Sequence, residues 1–470
     1  MIMPKKNDLF WLVSSSTIIL FVCSAIRHIL FQSNALDLGW FDQGVYLISQ
    51  GKPPIISFVD YHILGDHIAF ILYPIALLYK IYPSVYWLLF LQAFSLSLGA
   101  FPLWQLAIQA GLKEKQAYTL ALVYLLYPLI FNVNLFDFHP EVIAVPAIFW
   151  TILAARLNNL WGFCLGIIII LGCKAILSLT LLGMGIWLLL WEKKKIPGII
   201  ATISGILWFI ITTKLLIPLL TGKSAVIEMA DSRYSYLGDS LPAIIFNLFL
   251  NPDLVLGKIL TANNLEYLIL LIIPLVWGLS WRYSAPIIAA IPALALNLLA
   301  DHAPQKNLTT QYSLPILPFL FLAVIATLAH NSNWLKQPKW IITWAIIAFF
   351  ALAKYGYFWS LYLNSLDTWA ATQKALTQIT TSESVLTTSR IAPHLTHREM
   401  IKLAIEGSQS LDLNQFNYIL LDRRHPGWSS SSELIDYHLN KLNQNENFRL
   451  IFNQDDVFLY RALTTPQETK

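Results

Sequence analysis

The chain has 470 residues, of which 56% are hydrophobic and only 12% are charged, and its formal net charge is +4. Apolar runs long enough to cross a bilayer recur along it, which indicates a multi-pass membrane protein and argues against a soluble globular domain. Lys and Arg stand in short clusters between these runs, as in membrane topology signals, so nucleic acid is not an expected partner.

The first apolar run predicts a membrane-spanning helix over about Leu9–Phe31. Two lysines precede it, so the positive-inside rule predicts a cytoplasmic N-terminus and an outer loop over residues 33–83. Within that loop, the run His67–Tyr82 is roughly 16 residues long, which is marginal for a span. We therefore expect a re-entrant or interfacial helix there, and a second span over Ser84–Ile108.

Beyond the second span, the apolar pattern is interrupted by polar residues at Asp137–Glu141 and at Lys174. Lys174 separates two apolar runs of roughly 14 to 16 residues, Leu160–Cys173 and Ile176–Trp191, which are short for full spans. We therefore expect a hinge below the bilayer surface, in a cavity lined by protein. The other predicted spans are Gln116–Leu135, a helix ending at Arg156, Ile199–Leu220, Leu265–Trp281, Ala285–Leu299, Ser313–Leu328 and Trp340–Tyr357.

The predicted fold is therefore an α-helical polytopic membrane protein with about eleven transmembrane helices and one re-entrant helix. The bundle covers residues 1–364, with outer loops 33–83 and 221–264. Residues 365–470 are more polar, and strand-like stretches alternate with helical patterns, which is typical of a small α/β domain. An odd number of spans places this domain outside the cytoplasm. Its predicted strands are Ser384–Thr388, Tyr418–Asp422, Leu450–Phe452 and Val457–Arg461.

Titratable side chains gather on the predicted outer side of the bundle. Such groups are costly to hold at the mouth of a membrane bundle, so they form a functional-site hypothesis by default. Asp37 and Asp42, in the string LDLGWFDQG, are the candidate catalytic carboxylates, one as a general base and the other as a ligand or positioning group. A structural role such as helix capping is the alternative for each. The candidate substrate-binding residues are Gln43, His67, His139, Glu141, Lys174, Tyr234 and Tyr236.

Asp137 and His139 are the candidate metal ligands. They offer oxygen and nitrogen donors suited to a divalent ion, but their spacing matches no zinc signature, so a divalent metal is the one cofactor the residues suggest. Lys174 would be costly in the bilayer without a partner, so we expect it to pair with a carboxylate or an anionic phosphate. We predict that Asp37, Asp137, His139 and Lys174 converge on one outward-facing cavity.

Several strings resemble a family of predicted prokaryotic membrane proteins classed as a domain of unknown function. They are LDLGWFDQG, GDHIAFILYPIALLYKIYPSVYWLLFLQA, FDFHPE and RYSYLGDS, and the resemblance covers nearly the whole chain. That family is distantly similar to GT-C membrane glycosyltransferases, which use a lipid-phosphate-linked sugar and an acidic residue in the first outer loop. The resemblance implies a plasma-membrane location and a catalytic acid at Asp37, with Asp42 second. The family's Lys-Glu-Asp string reads Lys174-Ala175-Ile176 here, so neither acid is kept.

Two functions from different classes follow. In the first, the protein transfers a glycosyl group from a polyprenyl-phosphate sugar to an acceptor on the outer face, with Asp37 as base and basic groups neutralising the leaving phosphate. In the second, it is a transporter or a non-catalytic membrane protein. Transporters commonly show repeated halves with broken helices at corresponding positions. This sequence has no such duplication, which favours the transferase.

Overall fold

The structure is a computed structural model that describes residues 6–222 and 233–463. Residues 223–232 of the predicted outer loop 221–264, and residues 464–470 of the predicted α/β domain, lie outside the described part. Up to residue 363 the described chain is almost entirely helical. Its α-helices are Lys6–Ile29, Trp40–Ser49, Leu64–His67, Leu72–Ile81, Tyr86–Leu98, Ala100–Gln109, Glu114–Leu125, Pro128–Asn134, Glu141–Arg156, Leu160–Cys173, Leu177–Leu190, Lys195–Ile211, Ile217–Thr221, Leu241–Leu250, Pro252–Ile259, Ala262–Ile272, Ile291–Leu299, Leu317–Ala329 and Pro338–Leu352.

Three of the described helical segments are long and apolar enough to cross a membrane: Asn7–Ile29, Tyr86–Gln109 and Lys195–Thr221. Counting each of three bent helix pairs as one span raises the number to six. Shorter apolar helices make up the rest of the bundle, so the count of about eleven spans stays a prediction. The last of the three long segments carries large apolar side chains on its outside, including Leu207 at 53% and Leu215 at 58% exposure. Such a surface suits contact with lipid.

The predicted re-entrant segment contains the helix Leu72–Ile81, whose 10 residues extend about 15 Å, half the thickness of the hydrocarbon core. It begins beside the break at Lys174, which has an extended backbone between two helices. There the Ile71 N–H donates to the Gly172 carbonyl at 2.9 Å, and the Ala175 N–H donates to the His67 carbonyl at 3.0 Å. The two irregular segments thus satisfy each other's backbone hydrogen-bonding groups. A helix break exposed to lipid would leave such groups without partners.

The first outer loop begins with a π-helical turn, Ala35–Gly39, that continues into the helix Trp40–Ser49. The Asn34 side chain caps the turn by accepting a hydrogen bond from the Leu36 N–H at 2.9 Å. Single π turns are frequent at functional sites, and Asp37 lies within this one. Strands β1 (Ile55–Ile56) and β2 (Tyr61–His62) then form a short antiparallel ladder. Gly44 lets this ladder approach the helix, because a Cβ there would lie 1.9 Å from the Ile63 side chain.

The polar C-terminal part forms a five-stranded mixed sheet flanked by the helices Leu366–Thr377 and Ser432–Asn443. The strand order is β4-β3-β5-β7-β6, with β3 parallel to β4 and β5. Four strands coincide with predicted ones, and β4 was not predicted. The strands are β3 (Val385–Thr387), β4 (Ile401–Leu403), β5 (Tyr418–Asp422), β6 (Phe448–Gln454) and β7 (Val457–Ala462).

The edge strand β4 is covered by the first outer loop. Ser57 accepts a hydrogen bond from the Ile401 N–H at 2.9 Å and donates one to the Ile401 carbonyl at 2.8 Å. Ala35 is buried in the same apolar cluster as core residues of the sheet. The sheet and the loop that carries Asp37 therefore lie on the same side of the bundle.

Candidate functional site

A cavity of about 470 Å³ lies where the first outer loop meets the apolar helices. Segments far apart in sequence contribute to it: the π turn, the loop before the helix Glu141–Arg156, the break at Lys174, and residues 233–234 and 293–315. Its charged and imidazole-bearing lining residues are Asp37, Asp66, His67, His139, Glu141, Lys174 and Arg233. Its neutral polar and aromatic lining includes Trp40, Tyr61, Tyr234, Asn297, Gln305, Gln311 and Tyr312.

Asp37 reaches the cavity beside His139. The His139 Nε2 atom is 3.4 Å from an Asp37 carboxylate oxygen, and the exposed fractions of the two side chains are 3% and 23%. The loop holds His139 in place because its backbone N–H donates to the Gln92 side chain at 3.1 Å. Burial alone would lower the pKa of His139, but the hydrogen bond and charge of Asp37, together with the charge of Glu141, raise it.

Lys174 pairs with a carboxylate, as the sequence predicts. Its Nζ atom is 2.6 Å from a Glu141 oxygen, and the exposed fractions of the two side chains are 16% and 5%. The second Glu141 oxygen is buried without a hydrogen-bond partner in the described part of the chain. Glu141, and not an acid next to Lys174 in the sequence, is therefore the carboxylate that pairs with this lysine.

Arg233 is a cavity residue that sequence reasoning missed. Its guanidinium donates to the Gln305 side chain at 3.2 Å and to the Tyr312 hydroxyl at 3.4 Å, and it lies 5.4 Å from the centre of the Tyr312 ring. Within residues 6–222 and 233–463 it forms no ion pair, and the described carboxylate on which its charge acts is Asp66, in the same cavity. Arg233 is the first residue of the string RYSYLGDS, and an arginine beside predicted membrane helices is the signal that could have identified it.

Two further predicted residues line the cavity. His67 Nδ1 lies 2.7 Å from a carboxylate oxygen of its neighbour Asp66, which also faces the cavity. The Tyr234 hydroxyl donates to the Leu296 carbonyl at 2.9 Å and accepts from the Gln305 side chain at 3.3 Å. The cavity therefore gathers five of the seven predicted substrate-binding residues together with Asp37.

Asp42, Gln43 and Tyr236 do not line the cavity, because each is bonded elsewhere. Asp42 is 1% exposed; it accepts hydrogen bonds from the Tyr79 hydroxyl at 2.5 Å and from the Thr396 hydroxyl. The Gln43 side chain donates to Ser57 at 2.7 Å. The Tyr236 hydroxyl donates to the Leu299 carbonyl at 2.7 Å.

The predicted metal pair does not form. Asp137 is fully buried and bonded to Arg27, at the end of the first helix, and to the Asn34 N–H at 2.9 Å. Its carboxylate therefore lies behind the cavity, and the predicted convergence holds for Asp37, His139 and Lys174 but not for Asp137. Across the described residues, no group of three or more His, Cys, Asp and Glu side chains is arranged to hold a metal ion.

Comparison with known proteins places the chain in a family. Residues 27–459 match the family described as "Predicted membrane protein (DUF2079)". The chain belongs to this family. The family assignment made from the motifs is thereby confirmed, and so is the membrane character of the protein. No curated protein matches the chain at a significant level.

Solved structures extend the comparison to the fold. ArnT from Cupriavidus metallidurans bound to undecaprenyl phosphate is 12% identical, with a TM-score of 0.56; the match covers 99% of this chain and 100% of that one. ArnT from the same organism in the apo state is 10% identical with a TM-score of 0.40, covering 95% and 98%. At 12% identity the first match shows a shared fold, which agrees with the distant similarity of the family to GT-C membrane glycosyltransferases.

Proposed function

We propose that this protein is a membrane glycosyltransferase that uses a polyprenyl-phosphate-linked sugar on the outer face of the membrane. The observation that carries the proposal is the cavity in which Asp37, His139 and Arg233 meet. A carboxylate in such a site can take up a proton, and an arginine can stabilise a leaving phosphate. Glycosyl transfer from a lipid phosphate needs a group that accepts the proton of the acceptor hydroxyl and a group that stabilises the leaving phosphate.

Arg233 is the proposed ligand of the donor phosphate. Its described hydrogen-bond partners are neutral, whereas Lys174 forms an ion pair with Glu141 at 2.6 Å. A guanidinium group binds phosphate oxygens through charge-assisted hydrogen bonds. The fold shared with ArnT, which was crystallised bound to undecaprenyl phosphate, supports a polyprenyl lipid as the carrier.

Asp37 is the proposed general base. It would accept the proton of the acceptor hydroxyl, whose oxygen then forms a bond to the anomeric carbon of the donor sugar. The bond from that carbon to the phosphate oxygen breaks, and its electron pair leaves with the phosphate beside Arg233. His139, 3.4 Å from Asp37, keeps the carboxylate oriented.

The remaining cavity residues are proposed to bind the sugar and the acceptor. His67, Glu141 and Tyr234 present hydrogen-bonding atoms along the wall, and Lys174 holds Glu141 in position. We propose positioning roles for Asp42 and Gln43, which tie the helix after the π turn to its surroundings. The positive-inside pattern of the loops supports an outer location for the cavity.

A transfer assay with the purified, reconstituted protein tests this proposal. Undecaprenyl phosphates carrying different labelled sugars serve as donors, and release of undecaprenyl phosphate is measured. Asp37→Asn should lower turnover by about two to four powers of ten at normal protein levels, because it removes only the proton acceptor. Asp253→Asn, an exposed aspartate outside the cavity, is the matched control.

Equal turnover in Asp37→Asn and the control would contradict the role of Asp37. A wild-type protein that turns over none of the donors, but moves a labelled lipid or solute across the membrane, would favour the transporter alternative.

A further inference from the structure

A second polar site lies in the C-terminal sheet, away from the cavity. The chain leaves β3 towards β4 on one side and leaves β5 towards β7 and β6 on the other. The two connections therefore diverge from the carboxyl ends of two adjacent parallel strands, β3 and β5. In open α/β sheets, ligands bind in the crevice at such a topological switch point.

Hydroxyl groups lie at the carboxyl end of β3. Thr388, directly after β3, is fully buried, and its hydroxyl has no hydrogen-bond partner within the described ranges. The next residue, Ser389, accepts a hydrogen bond from the Trp428 N–H at 2.9 Å, so the loop after β5 crosses over the end of β3. Gly427 permits this close approach: its φ is +84°, and a Cβ there would lie 2.3 Å from the Ser389 hydroxyl.

Arg390 supplies positive charge at the same strand end. It is half-buried, and the described residues 6–222 and 233–463 offer its guanidinium neither a hydrogen bond nor an ion pair. The nearest acid is Asp422, at the end of β5, but its oxygens accept from the Thr368 hydroxyl at 2.8 Å and from the His425 N–H at 2.9 Å. Burial lowers the pKa of Arg390; nearby Asp422 raises it and Arg27 lowers it. An anion bound here would add to the partial compensation that Asp422 gives Arg390.

The carboxyl end of β5 lies near the end of the first membrane-spanning helix. The helix Leu366–Thr377, which supplies Thr368, is fixed to that end because the Trp369 indole donates to the Ile29 carbonyl at 2.9 Å. Beside it, Trp428 is 54% exposed and Leu366 is 46% exposed. Exposed tryptophans are typical of the membrane interface, which is also where lipid phosphates lie.

We propose that the crevice at the carboxyl ends of β3 and β5 binds a phosphate group, with Arg390 as its charged ligand and hydroxyls of the crevice as further donors. The phosphate can belong to a lipid head group or be free. A bound lipid phosphate would fix the C-terminal sheet at the membrane surface. This site is separate from the cavity and does not depend on the proposed transfer reaction.

The test uses the full chain in detergent and follows its thermal unfolding midpoint. The probes are sodium phosphate against sodium chloride at equal ionic strength, and dioleoyl phosphatidic acid against dioleoylglycerol in mixed micelles. Arg390→Gln removes the charge, Arg390→Lys keeps it, and Arg449→Gln controls for loss of an exposed arginine on β6. Both Arg390 variants retain Arg233, so phosphate bound in the cavity contributes equally and cancels in the comparison.

We expect Arg390→Gln to weaken the apparent phosphate affinity at least about tenfold relative to Arg390→Lys, the loss expected for one charge-assisted contact. The control should match the wild type. A response to phosphatidic acid but not to inorganic phosphate would identify the ligand as a lipid head group, and the reverse would identify free phosphate. Equal affinities in the two Arg390 variants, or no response of the wild type to either probe, would overturn the proposal.

Discussion

Glu141→Gln should destabilise the protein because it leaves Lys174 charged and without its partner. The two side chains are 5% and 16% exposed and 2.6 Å apart, so water only partly replaces the lost carboxylate. Removing one partner of a buried ion pair typically costs about 3 to 5 kcal/mol. The partial exposure of Lys174 to the cavity favours the low end, about 3 kcal/mol.

Unfolding in detergent, followed by thermal midpoint and by denaturant titration, measures this effect. Glu399→Gln is the control, because it breaks the Lys52–Glu399 pair, whose side chains are 48% and 69% exposed, and should have little effect on the free energy of unfolding. The double variant Glu141→Gln with Lys174→Met should recover most of the loss. The reasoning fails if Glu141→Gln is no worse than the control, or if the double variant is less stable than Glu141→Gln alone.

Three further outcomes are expected. Asp42→Ala should lower the free energy of unfolding by about 2 to 4 kcal/mol, since it leaves two buried hydroxyls unpaired; an unchanged unfolding curve would contradict this. Burial lowers the pKa of His397, but the charge of Asp42 and its hydrogen bond outweigh burial and raise it. The stability lost in His397→Gln should therefore be largest below about pH 6.5 and should vanish as the pH rises through the pKa of the folded state. A loss that does not depend on pH would contradict an ion pair between His397 and Asp42. Single cysteines placed at the exposed positions Ser410 and Lys115 should react with a thiol label from opposite sides of the membrane. Labelling of both from the same side would contradict the predicted topology.

Much of the helical framework follows from apolar run lengths alone. The first helix and the segment Tyr86–Gln109 lie where the runs predict them, and the break falls at Lys174. The number of spans does not follow, because many apolar helices are short or end in 3-10 turns, and length alone does not decide whether they cross. The strand β4 was missed because its three residues, Ile-Lys-Leu, carry too little pattern.

The candidate site could be predicted from the sequence only in part. Asp37, His139 and Lys174 stood out because charged or imidazole groups are rare beside membrane helices, and all three line the cavity. Asp42 stood out equally but is buried against Tyr79 and the C-terminal sheet. No local pattern separates the two aspartates, because contacts with residues hundreds of positions away decide which one faces the cavity.

The independence of the C-terminal region also depends on long-range contacts. Its sheet has an apolar cluster of its own, but a second cluster includes Ala35 from the first outer loop. That the region from about residue 365 folds alone therefore stays a prediction. Cooperative unfolding of the isolated fragment is the expected result, and a disordered fragment would show that it needs the loop.

The most direct test of the proposed function is an experimental structure of the protein determined with undecaprenyl phosphate added. The account predicts lipid phosphate density in the cavity within hydrogen-bonding distance of Arg233, with Asp37 facing the space where the sugar would sit. Lipid phosphate bound only outside the cavity, or a cavity that stays closed to the lipid at saturating concentration, would contradict it.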